Sequence, residues 1–298
     1  MRFKLDKRTI AFIIIFLVGL SILLYPLVSS TWNQMIANRT ITKYDDTVAS
    51  QSPENINAMM EAARKYNGSL MPKEVPDAFT IRSGIFDAEY ESLINLNGDG
   101  LMGYIDIPVI DVHAPLYHYT TDDVLQKGVG HLFGSSLPVG GSGTHAVLSA
   151  HRGVPSNKLF SDLDKVVNGD KFFIHILDEV FAYQVDKIEV VKPDQTQGLA
   201  LFKGKDYVTL VTCTPYGVNT HRILCRGHRI PYNPNDEKES RRLWLNMNIM
   251  TGLIGALLGI LIALILVIRM KKRNKKIEQG TETKQEKKDS KIRFRRVK

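Results

Sequence analysis

Cysteine is scarce in this chain: 298 residues hold two, Cys213 and Cys225. A disulfide-built scaffold is excluded by that count, although a single Cys213–Cys225 bridge is allowed. Close metal-ligand spacing is also missing, with no CxxC pair and no HxxxH pair to set beside His113, His118, His131, His145 and His151. A zinc site has no motif to stand on, so no metal ligands are assigned; calcium held by scattered acids stays open. No Gly-rich phosphate loop follows a strand, so no cofactor is indicated.

Two stretches lack charge altogether. Ile10–Val28 and Met250–Ile268 are each nineteen residues of almost unbroken apolar sequence, near the ~20 residues that cross a bilayer as a helix. Arg2, Lys4, Lys7 and Arg8 precede the first run, and RMKKRNKK follows the second. Both basic flanks are terminal, so the expectation is a two-pass cell-membrane protein with both termini cytosolic and the middle outside. The first run reads as an uncleaved anchor, because it exceeds the usual h-region; Val28–Ser30 is the one stretch that resembles a cleavage site.

Divided this way, the net charge of +8 changes meaning. Four Lys and Arg against one acid give +3 over residues 1–9, fourteen against four give +10 over 269–298, and −5 is left for the rest. The outer portion is mildly acidic, so the basic balance is no sign of nucleic acid. The tail suits anionic lipid, at ~1 kcal/mol per basic residue near the surface. GALLG, Gly255–Gly259, fits a small-xxx-small helix contact, but the oligomeric state stays open.

Between the apolar runs, Thr31–Ser50 reads as polar and irregular, with amphipathic patches. Ser52-Pro53-Glu54 is a helix start, and the helix is expected to stop at Asn67-Gly68. Val75–Ile94 reads as a weakly regular arm, ending in the turn Asn97–Gly100. From Leu101 short strands follow in LMGYIDIP, VHAPLYHY, HAVLSA, KFFIHIL, VFAYQVDKIEVV, YVTLVTC and RILCRG. Turn clusters such as Pro138–Gly141 and Asn168–Asp170 separate them, and one short helix is expected near Leu159–Val166. The texture is that of a mainly β barrel or sandwich.

Three residues in that region carry chemistry. Cys213 ends the apolar run TLVTC, a Pro-Tyr-Gly turn follows, and Arg222 opens the next run. His151 ends HAVLSAH in the same way. A thiol needs a nearby cation to populate the thiolate, and His151 and Arg222 are the candidates. Cys225 lies three residues after Arg222, so strand alternation turns it to the opposite face, as an inert buried thiol. Thr212 is a minor candidate for a hydrogen bond in the site. His145 reads as a packed strand residue, and His221 as pointing away from Arg222.

TLVTC with THRI nine residues on, GTHAVLSAHRG, GHLFGSSLP and KLFSDLDKV resemble the sortases over about Tyr104–Tyr232. The longer string TLVTCTPYGVNTHR and the C-terminal apolar run resemble the class C, pilin-polymerising branch. The resemblance implies a sortase-type closed barrel of about eight strands, with short helices, an N-terminal helical and lid arm, and two flanking transmembrane helices. It also implies that Asp77-Ala78-Phe79 is a lid, Asp77 pairing with Arg222 and Phe79 covering Cys213. Ala78 stands where that branch usually has Pro, and SAHRG where TGHRG is commoner.

The expected organisation runs from a cytosolic N-terminus (1–9) and signal anchor (10–28) through the helical arm and lid (29–95) to the catalytic barrel (96–235). A juxtamembrane linker (236–249), a transmembrane helix (250–268) and a basic cytosolic tail (269–298) complete it. The implied activity is a cysteine transpeptidase that cleaves an LPXTG-like sorting signal between Thr and Gly through a thioacyl intermediate. Its partners would be pilin subunits, whose Lys amine resolves the intermediate. A wall-anchoring sortase, a non-catalytic tethered barrel and a secreted cysteine protease are the competing readings.

Overall fold

The computed structural model describes residues 7–70, 77–79, 87–154 and 157–237, all within one compact unit, Met1–Arg241. Among the described residues there are four α-helices: α1 (Lys7–Ala49), α2 (Pro53–Ser69), α3 (Ala88–Ser92) and α4 (Asp122–Lys127). The strands are β1 (Leu101–Ile107), β2 (Val112–His118), β3 (Val129–His131), β4 (Thr144–Ser149), β5 (Lys171–Ile176), β6 (Glu179–Val191), β7 (Asp206–Thr214) and β8 (His221–Ile230). They close into a barrel in the order β1-β2-β3-β4-β7-β8-β6-β5. The β2–β3 and β4–β7 pairs are parallel, and the others are antiparallel.

Alternation along each strand gives the barrel two faces. Val208, Leu210, Ile223 and Cys225 point into the main core, with Ala146, Leu148 and Ile174. Val147, Val211 and Leu224 point outward, into a second cluster with Leu132, Leu199 and Ala78. β1 and β5 approach so closely that a Cβ on Gly103 would overlap the carbonyl of His175.

Thr31–Ser50, expected to be irregular, is helical as far as Ala49. No Gly or Pro interrupts residues 29–49, and Ile41, Tyr44 and Val48 repeat at helical spacing against the barrel wall. The buried Tyr44 hydroxyl donates to the Met102 carbonyl and accepts from the Leu177 amide, both at 2.8 Å. Ser52 caps α2 as its sequence indicates, accepting from the Asn55 amide. Asn67, near the end of α2, pairs both ways with the backbone of Leu137.

Two further differences are local. The helix expected over Leu159–Val166 shrinks to one 3-10 turn at Leu163–Lys165, because Leu159 adopts a positive φ of 35°. β3, three residues long, carried no alternation to read. Its His131 is fully buried, donating from Nε2 to the Ser136 carbonyl and accepting at Nδ1 from Tyr90 of α3 at 2.6 Å. Burial pushes that imidazole down to about 3.

The first apolar run lies in the N-terminal half of α1. Among the described residues, no helix is long and apolar enough to cross a membrane. The second run, its GALLG stretch and the basic tail lie outside the described residues.

Candidate active site

Three adjacent strands bring the chemistry together. β4 runs parallel to β7 with Ser149 opposite Val211, and the Ala150 amide continues the ladder to the Val211 carbonyl. His151 therefore emerges alongside Cys213. Across the antiparallel β7–β8 pair, Cys213 stands directly opposite Arg222. Neighbouring strands lie ~4.8 Å apart, so the three residues form one row on the outer face. Cys225 lies on the inner face opposite Leu210, and both cysteines are free thiols.

A segment from the N-terminal arm covers the row. Asp77 holds Arg222 with two parallel hydrogen bonds, Nε to Oδ1 at 2.9 Å and Nη2 to Oδ2 at 2.7 Å. Such a bidentate, charge-assisted pair is directional as well as strong. Arg222 also donates from Nη1 to the carbonyls of Asn219 and His221. Phe79 lies under the Arg222 guanidinium at 4.9 Å and beside the His151 ring at 6.0 Å. Ala78, at 1% exposure, plugs the outer cluster formed by Val211, Leu224, Leu132 and Val147. A side chain of alanine's size is what that contact holds.

Burial biases the thiol and the imidazole of the row toward their neutral forms, while Arg222 stays charged against Asp77. Burial pushes the Cys213 thiol above its ordinary value; Arg222 draws it down and Asp77 pushes it up again. Burial also lowers His151, with Asp122 opposing weakly. A raised thiol beside a lowered imidazole disfavours the thiolate–imidazolium pair.

Two supporting residues went unnoticed in the sequence. Arg152, beside His151, donates to the Thr214 hydroxyl at 3.0 Å and to Asp164 at 2.6 Å, tying the histidine loop to the residue after Cys213. Gly153 follows with φ +80°, and the Tyr216 ring packs on it closely enough to crowd any Cβ. The adjacency of Arg and Gly to His151 was the available signal. Thr212 faces inward and donates to the Ala150 carbonyl at 2.8 Å, which fixes β4 against β7 one residue before the row.

The other histidines lie apart from the row. His145 is buried between the Ala200 carbonyl and the Thr209 hydroxyl, both at 2.7 Å, and burial lowers it to about 4. His118 contacts the Gly100 carbonyl, His113 bonds Asp106, and His221 contacts Thr220.

Comparison with known proteins gives consistent matches. A sortase-domain family model matches residues 105–230. The chain is similar to sortase D of Bacillus subtilis (strain 168), 30% identical over 131 residues, 43% of this chain. It spans 63% of that relative's length, a little under two thirds. Among solved structures it is similar to a sortase C of Streptococcus pneumoniae at 44% identity and TM-score 0.63, covering 66% of this chain and 98% of that one. Sortase C1 of Streptococcus agalactiae is 46% identical with TM-score 0.60, covering 65% of this chain and 100% of that one.

Proposed function

The chain belongs to the sortase family, among its class C members, and from that membership we propose that it is a cysteine transpeptidase that polymerises pilin subunits at the cell surface. The observation that carries this reading is the His151–Cys213–Arg222 row on adjacent strands, with Asp77 clamped onto its arginine.

With the lid withdrawn, water reaches the row and Asp77 leaves Arg222. The thiol then keeps a cation at its side and loses an anion, which favours the thiolate, and its proton passes to His151. The Cys213 sulfur attacks the Thr carbonyl of an LPXTG-like sorting signal, and Arg222 donates to the developing oxyanion. The C–N bond breaks as His151 gives its proton to the leaving Gly amine, and a thioester remains on Cys213. A Lys amine of the next pilin attacks the thioester, His151 takes its proton, and Cys213 leaves as thiolate. The product is an isopeptide bond, and no net proton is consumed.

The protein is proposed to sit in the cell membrane, with the barrel outside and both termini in the cytosol. Ile14, Ile15, Val18, Ile22 and Val28 are exposed on α1, aliphatic surface without a protein partner, which supports a lipid environment. The basic flanks of both apolar runs support the orientation.

The test is a polymer ladder. Co-expression with an LPXTG-type pilin is expected to give SDS-resistant, boil-stable multimers that disappear with Cys213→Ala. A ladder that survives the substitution would sink the reading.

A further inference from the structure

On the wall of the barrel opposite Cys213, a second set of polar groups converges. β1 is the fourth strand from β7 in either direction around the barrel. On its outer face Asp106 stands opposite His113 of β2, and Tyr104 stands opposite His175 of β5. The segment after β8 brings Glu237 onto the same spot. His175 Nε2 lies 3.3 Å from Asp106 Oδ2 and 4.0 Å from Glu237 Oε1. All three ligand atoms fall within 4.8 Å of one another.

The surroundings are arranged as the outer shell of a metal centre would be. His113 Nδ1 holds the other Asp106 oxygen at 2.8 Å. The Tyr232 hydroxyl donates to the other Glu237 oxygen at 3.0 Å. Tyr104 stacks on the His175 ring at 4.3 Å and 9°. Both carboxylates are thus oriented by a hydrogen bond to their other oxygen, and the His175 ring by stacking. Asp106 is almost fully buried, with a side chain 3% exposed. The His175 Nε2 atom is itself buried and makes no hydrogen bond. A buried carboxylate facing an unbonded imidazole nitrogen is costly unless a proton or a metal ion joins them.

The geometry points to a divalent metal site formed by Asp106, His175 and Glu237. One imidazole nitrogen with two carboxylate oxygens suits zinc or manganese better than calcium or magnesium, which prefer all-oxygen shells. Ligands ~2.0–2.1 Å from a tetrahedral ion lie about 3.4 Å apart, so Asp106 and His175 already have the required separation, while Glu237 must close by ~0.6 Å on His175 and by up to ~1.4 Å on Asp106. The ion would be structural, fastening the segment after β8 to β1 and β5 on the side of the barrel away from the catalytic row.

The experiment uses the full chain in detergent, stripped with chelator and titrated separately with Zn²⁺ and Mn²⁺. One ion per chain is expected, with binding lost in the His175→Ala/Glu237→Gln double variant and weakened ~10–100-fold in His113→Ala. X-ray absorption of the zinc-loaded wild type gives a readout that depends on no variant, and a shell of nitrogen and oxygen only is expected. No uptake of either ion, full uptake by the double variant, or sulfur in the zinc shell would overturn the assignment; sulfur would mean capture by Cys213.

Discussion

The two cysteines sit on one hairpin and face opposite ways. Cys225 points into the barrel with no exposure, where burial, with Asp170 and Asp186 adding to it, pushes the thiol up to about 12. Cys213 points into the outer groove, where burial also raises it but Arg222 pulls against the shift. The residue type is the same and the strands are paired. What differs is the face, and with it the neighbouring charge and the route to substrate. A one-residue slip in the β7–β8 register would turn Cys213 inward and remove both.

The sharpest way to break this contrast is to exchange the thiols for alanine one at a time. Cys213→Ala is expected to lower transpeptidation at least ~10⁴-fold, the scale of removing a nucleophile. Cys225→Ala should leave the rate within about threefold and cost about 1 kcal/mol of stability through a small cavity. Rates from a fluorogenic sorting peptide and melts of both variants check this. Equal loss of rate in both would mean that the interior thiol supports the site.

Two arginines sharpen the comparison further. Arg222 and Arg226 share one face of β8, and each holds a carboxylate bidentately, Asp77 and Asp186 respectively. Only Arg222 stands opposite a thiol. Arg222→Lys is expected to lower kcat/KM ~10²–10³-fold, because an ammonium lacks the planar fork aimed at the oxyanion. Arg226→Lys should leave kcat/KM within about threefold.

Lid release is the next effect in size. Two charge-assisted hydrogen bonds at ~1.5–3 kcal/mol bound what Asp77 contributes to closure. Asp77→Ala is expected to speed alkylation of Cys213 by iodoacetamide ~10–100-fold. Its pH midpoint should fall, because burial and the Asp77 charge both hold the thiol up in the closed state. Cys225 should stay unlabelled in both proteins, which makes it the internal control. An unchanged Cys213 rate would mean that Phe79 and Ala78 hold the lid without the ion pair.

Much of this arrangement was legible in the sequence, for reasons that also explain the gaps. Seven of the eight strands showed as β-branched or aromatic runs between turns; β3, at three residues, was too short. The convergence of His151, Cys213 and Arg222 was legible because each stands at the end or start of an apolar run. The polar half of α1 misled because its packed stripe is only three residues, Ile41 and Tyr44 buried and Val48 partly so. The cluster of Asp106, His175 and Glu237 left no trace in spacing. Strand register and the segment after β8 unite it across 131 positions, and nothing local marks it.

The smallest effect in the comparison is one of stability with pH. Cys225 titrates at about 12 in the folded protein against 9.0 unperturbed, so the native state keeps a proton that the unfolded chain gives up. Its contribution to stability is complete below pH ~9 and is lost as pH climbs toward ~12, at no more than ~1.4 kcal/mol per pH unit. Cys225→Ala removes that dependence, so the stability gap of about 1 kcal/mol between wild type and variant should close, and at the full slope reverse, as pH rises from 9 to 11 in urea melts. Cys213→Ala should change the slope less, because Arg222 offsets part of the burial there. A gap that stays constant with Cys225→Ala would mean that water reaches the barrel interior, and that the two faces of the hairpin differ less than their packing implies.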